Sequence, residues 1–585
     1  MRVTPENLGE VLEHLRQTKI LSIDCETTGL SETDRPFSFI IADESKEYYF
    51  DERVLPWYNQ EQIEVLFKDP GKMWLGQNLK FDMRMMLSAG YEFAGDVCDI
   101  AVLARLVRND HMKYNLDAQA KRFGWAKGQD KIKECIKEHD LYEIRKDFFG
   151  VAEKHPRYDL VPIDIMEEYA CLDARLTYDL YVKYMELLPE ASHALWRNEC
   201  ELTKVCFKME RHGLLLDKDY TMKAMYHEIE KSEEARNRYE AITGERFVNS
   251  AKSFQSWLGD RYQLPTTDAG NPSLTDDVLE EVIGDLQGDI KEAAELIQVI
   301  RHYSKRVSTY YQGYLNAMDK NSVVHPTMWQ GGTKTGRFSY SDPNLQNIPK
   351  EEKSVAPYVV RGCFVPRPGT VFVSFDYSQM EYRLLAAYAN EVGIIDRVMA
   401  GEDFHAVAAS LFGVERTPAK TLNFACLYGA GDEKLARMLG IPVRESKFLK
   451  LKYFMALSRV EKLVQRIKST GKARGYVTNW MGRNLYSDYN HVYALPNHLI
   501  QGSGADVVKV AMVRIAKEFP DIPMVLQVHD QLVFEVKPEQ YKCLPRIKEI
   551  METSFPAMNG MTLSVDVEWS SKSLAVRDMT KGMVL

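Results

Sequence analysis

Strand-forming apolar runs occur towards both ends of this 585-residue chain, with only helical pattern between them. Near the N-terminus, Ile20-Leu21-Ser22-Ile23 leads into Asp24-Cys25-Glu26, and Ser38–Ala42 forms a second run. Towards the C-terminus, Val371–Asp376, Met524–Val528 and Leu532–Val536 read as strands, the last two flanking His529-Asp530-Gln531 as a hairpin. Helical periodicity covers Leu79–Ala89, Asp99–Val107 and Ile165–Leu188, then Thr221–Ile242 and Ile290–Met318 in a charged stretch from about 190 to 315. The chain is also too long for one hydrophobic core, so the pattern requires two or more domains. The first is α/β and the rest α+β. No long linker or low-complexity tract separates them, so they are expected to pack together.

Composition narrows the setting more than the function. Hydrophobic residues at 45% and charged residues at 27% suit a folded soluble protein. No run of about 20 apolar residues predicts a membrane span, and the opening MRVTPENLGE lacks the apolar core of a secretory signal. Nine scattered cysteines, with no C-x-x-C pair, fit reduced thiols in a cytoplasmic compartment. The net charge of −9 argues only weakly against a nucleic-acid partner, because an acidic exterior can coexist with a basic cleft.

Chemistry first shows at Asp24 and Glu26. Two apart on a strand, their carboxylates share a face and repel unless a cation lies between them, which suits a hard, oxygen-seeking ion such as Mg²⁺. A solvated strand end is the commoner origin of D-x-E. Two further segments shift the balance: Gly76–Asp82 opens a helix with a third carboxylate, and Tyr169 and Asp173 stand four apart on another helix.

A second set lies downstream. Asp376 ends a strand that passes at once into a helix, and Asp530 occupies a hairpin turn, where aspartate is also ordinary turn chemistry. Ser378-Gln379-Met380-Glu381 fits a capping box, which would give Glu381 a purely structural role. Arg416, Lys420, Phe424 and Tyr428 recur every four residues along one helical stripe. Two cations followed by two aromatics suit a triphosphate at one end and a base at the other, and core packing does not explain the cations. Pro418 is tolerable only in a first turn, which places Arg416 just before the helix.

IDCETTGL, NLKFD and YACLD resemble, in order, the three motifs of the tyrosine-containing DEDD exonucleases. The resemblance implies a ribonuclease H-like domain over 1–190, in which Asp24, Glu26, Asp82 and Asp173 hold two metals and Tyr169 orients the attacking water. Residues 191–585 are similar to family A DNA polymerases. TKTGRFS (333–339) and DPNLQNIP (342–349) resemble the primer–template motifs, DYSQMEYR motif A, R-x-x-x-K-x-x-x-F-x-x-x-YG motif B and QVHDQLVFEV motif C. This implies a right-hand architecture, with a thumb at about 200–320, a palm at about 321–413 and 490–585, and fingers at about 414–489.

By the same resemblance Asp376 and Asp530 bind two Mg²⁺ ions, with Mn²⁺ able to substitute. Arg416 and Lys420 neutralise phosphate charge, Phe424 stacks on the incoming deoxynucleotide, Tyr428 holds the template side, and Glu381 is a gate against the ribose 2′-hydroxyl. Tyr377 is assigned to the nucleotide site. Arg337 and Gln501 donate to minor-groove acceptors common to every base pair, and Asn347, Arg361, Arg383, Asn497 and His529 line the DNA cleft. The expected activity is primer extension on a DNA template with 3′–5′ proofreading, by a monomer with primer–template DNA as partner.

Two positions depart from the family pattern. Gln531 stands where motif C usually has glutamate, so a third carboxylate is missing there, and catalysis is expected to survive. Phe424 stands where some relatives have tyrosine, which implies discrimination against dideoxynucleotides. The first exonuclease motif begins about 20 residues into the chain, leaving no room for a 5′ nuclease, which suits a phage-type enzyme working in the host cytoplasm. Three rivals are a nuclease with a retired second site, an RNA polymerase, and a non-catalytic DNA-binding protein. The charges kept together at Asp376, Asp530, Arg416 and Lys420 oppose the first, and Glu381 with the proofreading domain opposes the second. The third predicts salt-sensitive binding without metal-dependent turnover.

Overall fold

The computed structural model describes residues 1–125, 131–267, 269–349, 357–427 and 430–583, without the side chains of Phe424 and Leu427. Two five-stranded sheets organise it, one from each group of apolar runs. The N-terminal sheet contains β1 (Ile20–Thr27), β2 (Pro36–Ala42), β3 (Glu47–Asp51), β4 (Met73–Gly76) and β5 (Asp96–Asp99), in the order β3-β2-β1-β4-β5. β2 runs antiparallel to β1 and β3, whereas β4 is parallel to β1 and β5. Helices cover this sheet, so β2 is buried along its whole length and reads as a continuous apolar run.

Two of those helices bear on function. α1 (Leu79–Ser88) follows Asn78, whose φ of 61° turns the chain sharply into the helix. The Asp99 carboxylate accepts from the N–H groups of Asn78 (3.3 Å) and Leu79 (3.0 Å), satisfying donors that a helix start leaves orphaned. α2 (Ile163–Leu187) packs along β1, where the Ser22 hydroxyl donates to the Ala174 carbonyl at 2.8 Å. Ahead of α2, a two-stranded hairpin, β6 (Tyr142–Lys146) with β7 (Ala152–Pro156), projects from the unit.

α3 (His193–His212) joins the two halves, and α4 (Lys218–Thr243) and α5 (Asp289–Lys305) pack together beyond it. The helical run expected over Ile290–Met318 is continuous but changes pitch: a π-helical segment, Arg306–Tyr311, separates α5 from a short helix at Gln312–Ala317. There Arg306 and the Tyr311 hydroxyl both bond the buried Glu228.

The C-terminal sheet is antiparallel: β8 (Val371–Tyr377), β9 (Met524–Val528), β10 (Gln531–Val536), β11 (Val565–Ser570) and β12 (Thr580–Lys581), in the order β9-β10-β8-β11-β12. The expected hairpin is β9–β10. β8 leads into α6 (Met380–Ala389), followed by α7 (Phe404–Phe412), α8 (Arg416–Leu427) and the long buried α9 (Leu495–Glu518).

α3 is held by charge within the C-terminal half, and its Glu210 reaches across to the N-terminal unit. Glu199 is buried with Arg483 and Lys509, each 2.6 Å away, Glu210 holds Lys80 of α1 at 2.9 Å, and His212 meets Glu535 of β10 at 2.7 Å. The domains pack together, as the lack of a linker suggested. Among the described residues no helix is long and apolar enough to cross a membrane.

Candidate active sites

Alternation along β1 puts Asp24 and Glu26 on one face. The Cys25 N–H between them donates to Asp82 Oδ1 at 3.0 Å, which fixes the first turn of α1 against the strand. Asp82 is 3% exposed. Burial first, and the neighbouring charge of Asp24 second, push its carboxyl well above the usual range. Burial, followed by the charges of Asp82, Asp24 and Glu26, likewise raises the Cys25 thiol. Asp173, also buried, is next in the chain to Ala174, whose carbonyl anchors α2 to β1, and Tyr169 lies one turn earlier on α2. Asp24, Glu26 and Asp82 thus gather at β1, and α2, which carries Asp173 and Tyr169, packs along the same strand. Among the described residues no three acidic, His or Cys side chains are close enough to form a ready-made metal cage. The donor set is all hard oxygen, and its mutual repulsion is what a divalent cation would relieve.

The second site forms at the end of the C-terminal sheet. Asp376 pairs with Gln531 of β10 on one side and Asp566 of β11 on the other. The next N–H, from Tyr377, donates to the carbonyl of Asp530 at 3.3 Å. Asp376 and Asp530, 154 positions apart in the chain, therefore meet across adjacent strand tips, both half-buried. Gln531 does not face them as a free amide: its Nε2 donates to Ser374 Oγ at 2.6 Å. Asp566, which the sequence reading did not single out, is a nearby carboxylate and accepts from the Ser378 hydroxyl at 2.5 Å.

Ser378 is therefore not a helix cap. The residue before α6 is Gln379, in the left-handed region (φ 55°), with no side-chain cap. The capping-box reading of Glu381 fails for this reason. Glu381 instead pairs with the guanidinium of Arg337. The loop carrying Arg337 lies close on α9 at Gly502, where a Cβ would stand 3.0 Å from the Thr335 carbonyl, a tight contact that glycine avoids. Gln501 precedes Gly502 on α9, with Asn497 one turn earlier. His529, at φ 55°, joins the group: desolvation and then the Arg337 cation lower its pKa, Asp376 and Glu381 opposing and Arg361 adding to the effect.

Tyr377 departs from expectation. Its ring faces away from Asp376, is buried, and its hydroxyl donates to the Met551 carbonyl at 2.8 Å, so the side chain serves the core and only the main chain borders the site. Asn347 is exposed at the end of a short turn, Leu345–Asn347, and its carbonyl accepts from the Tyr310 hydroxyl. Arg361 is half-buried on the turn Val360–Cys363. Arg383 on α6 reaches the Ser378 and Thr562 carbonyls, both at 3.2 Å.

Arg416 is the first residue of α8, not the residue before it, and Pro418 still falls in the first turn. Arg416 and Lys420 are exposed one turn apart. The Phe424 side chain and all of Tyr428 lie outside the described residues. Three residues missed by the sequence reading complete this wall. Asp403 caps α7 and pairs with Arg416 at 2.9 Å; the hydrogen bonds from that guanidinium, against a smaller burial effect, hold its carboxyl at about 2. Gln379 bonds both Asp403 and the Phe404 N–H, tying the start of α6 to α7. His405, buried beside Asn423, has its pKa lowered by burial to about 4, with Arg416 and Lys420 adding to the effect. Asp403 could have been found as an N-cap ahead of an apolar run. His405 carried no local signal.

One α/β unit with an acidic cluster on its central strand, followed by an antiparallel sheet with two aspartates at its tip and a cationic helix opposite, defines a two-domain nucleic-acid enzyme architecture. Comparison with known proteins makes this specific. Residues 219–574 match the model of DNA polymerase family A, and residues 3–189 match that of a 3′–5′ exonuclease. The chain belongs to DNA polymerase family A and carries an N-terminal 3′–5′ exonuclease domain. It is 28% identical over 593 residues to DNA polymerase I of Borreliella burgdorferi, covering 94% of this chain and 62% of that one. It is 30% identical over 532 residues to DNA polymerase I of Synechocystis, covering 84% and 51%. It therefore spans only about half to three-fifths of these bacterial relatives. With DNA polymerase DpoZ of Salmonella phage PMBT28 it shares 26% identity over 92% of this chain and 94% of the other. The fold matches the POL domain of Pol1 from M. smegmatis, solved with DNA primer-template and dNTP, at a TM-score of 0.82 and 24% identity, over 98% of this chain and 99% of that one.

Proposed function

We propose that the protein extends a DNA primer on a DNA template with deoxynucleoside triphosphates and removes mispaired 3′ ends with its N-terminal domain. The observation that supports the reading is the main-chain bond from the Tyr377 N–H to the Asp530 carbonyl, which sets Asp376 and Asp530 at one sheet tip. In this reading the two aspartates hold divalent metal in a palm formed by about 321–413 and 490–585, between a thumb at about 200–320 and fingers at about 414–489. When bound, a pair of magnesium ions supplies charge stabilisation at the attacking and leaving oxygens.

The chain's own groups do the rest. Arg416 and Lys420 bind the triphosphate and neutralise charge as phosphoryl transfer proceeds, which requires phosphate to displace Asp403 from Arg416. Phe424 stacks on the incoming nucleotide and Tyr428 holds the template side. Glu381, held by Arg337, excludes a ribose 2′-hydroxyl. Arg337 and Gln501 donate to purine N3 and pyrimidine O2, which every correct pair presents in the minor groove. Asn347, Arg361, Arg383, Asn497 and His529 line the duplex path. In the N-terminal domain Asp24, Glu26, Asp82 and Asp173 hold metal and Tyr169 orients the attacking water.

The test is one labelled primer–template, run with and without nucleotides in Mg²⁺. Asp24→Ala is expected to extend normally and degrade slowly, and Asp530→Ala to degrade normally without extending. Loss of both reactions from either change in a folded protein would refute two separate sites.

A further inference from the structure

The helix Val443–Ala456, beyond α8 in the chain, is covered on one side only. Its Ser446 and Tyr453 are buried: the Ser446 hydroxyl donates to the Asp432 carbonyl at 2.8 Å, and the Tyr453 ring centroid lies 5.0 Å from that of Phe412 on α7. The opposite side carries Phe448, Leu451 and Met455, exposed by 64%, 59% and 72%. Spaced by three and then four residues, they fall within about 60° of one another around the helix and form one ridge. Lys447 flanks the ridge on one side and Lys452 on the other, and Arg444 extends it by a turn. Single exposed apolar residues are ordinary, but three large ones in line mark a contact surface. A shallow cavity of about 600 Å³, whose lining includes Ala436, Ile441, Pro442 and Val443, adds apolar surface at the start of the same helix.

Charge points to what covers the ridge. Residues 441–475 hold ten Lys and Arg and two Glu, in a chain whose net charge is −9. Among the described residues, Lys450 alone of the ten stands in an ion pair, with Asp432 at 3.4 Å. Lys468 registers the excess: burial first, then the charges of Lys450 and Lys472, lower its pKa. Two copies of such a surface repel, which disfavours self-association through it. DNA would meet the charge but leave the ridge unused, because Leu451 and Met455 offer no ring on which a base could stack. A segment that is both acidic and apolar along one face answers both features.

We propose that this face docks an acidic, amphipathic segment of another protein, whose apolar side chains cover Phe448, Leu451 and Met455 and whose carboxylates meet Arg444, Lys447 and Lys452. The inference does not depend on the reactions proposed above.

The test is fluorescence anisotropy of the full-length protein with a labelled helical peptide of about 15 residues, roughly four turns, bearing leucines at i, i+3 and i+7 and glutamates beside them. The parent is expected to bind it with a Kd below about 1 mM, and to ignore the same peptide with lysines in place of the glutamates. Phe448→Ser should weaken binding about tenfold, the order of one large apolar side chain left unburied. Lys447→Glu combined with Lys452→Glu should weaken it by a similar factor at low salt and far less near 1 M, where screening acts within about 3 Å. Thermal unfolding and primer extension should match the parent in both variants. Parent-like binding by Phe448→Ser, equal binding of the acidic and basic peptides, or no binding to the parent at about 1 mM would each overturn the proposal. It would also fall if Phe448→Ser weakened binding of a fluorescent oligothymidylate as much as that of the peptide, since the ridge would then belong to DNA.

Discussion

Glu535 offers a measurement of what ties α3 to the C-terminal sheet. Its side chain is 2% exposed and accepts from the His212 ring at 2.7 Å, the Arg367 guanidinium at 2.5 Å, the Arg367 N–H and the Thr370 hydroxyl. Burial alone would push its carboxyl up, but the His212 and Arg367 hydrogen bonds outweigh it and hold the group at about 2. A depression of about 2.5 units from an ordinary glutamate, at about 1.4 kcal/mol per unit, is roughly 3 kcal/mol. The sign follows from the direction of the shift: this stability is present above about pH 4.5 and is lost as pH falls through the folded value near 2. Glu535→Gln keeps the shape and removes the charge. It should cost about 3 kcal/mol in urea unfolding at pH 7, followed by tryptophan fluorescence, and less than half of that difference should remain at pH 3. Asp530 is five residues away, about 17 Å along the strand direction, so extension per folded molecule should not change. An unaltered urea midpoint at pH 7, or a difference equally large at pH 3, would refute the reasoning.

Two other outcomes follow from the same geometry. Gln531→Glu should change extension less than about tenfold, or 1.4 kcal/mol, because the Ser374 hydroxyl can turn to donate to the new carboxylate; a thousandfold gain in single-turnover rate would show that the missing acid limits catalysis. Glu199→Ala should destabilise the protein by about 3–5 kcal/mol in urea unfolding, because it strips a buried partner from Arg483 and Lys509; a loss below about 1 kcal/mol would mean that the buried Asp506, 2.6 Å from Arg483, satisfies both cations.

Much of this was legible in the sequence, for a physical reason. Long helices and strands buried on both faces write their period into many residues, so α1, α2, α4, β2 and β8 fall within a few residues of expectation. β4 and β5 are four residues each, too short to show any period. β3 was missed as well, and β11 was missed although its burial alternates over Val565–Val567. The β6–β7 hairpin mixes charge and apolar residues with neither face buried, so it resembled a loop.

The acids of both sites were legible because local spacing sets which carboxylates share a face. Their supports were not, because each is a contact between distant segments: Gln379 to Asp403, Glu210 to Lys80, Arg145 to Asp34. Clustered carboxylates oppose folding when no cation is present, so the scaffold must hold them where they would otherwise separate. Near the nuclease cluster, α1 is pinned by a capping carboxylate at one end and by the C-terminal half through Lys80. At the polymerase cluster, Asp376 stands on a strand bonded on both sides. Proteins of this architecture therefore write their chemistry into short motifs and the means of enduring it into contacts that no short window of sequence contains.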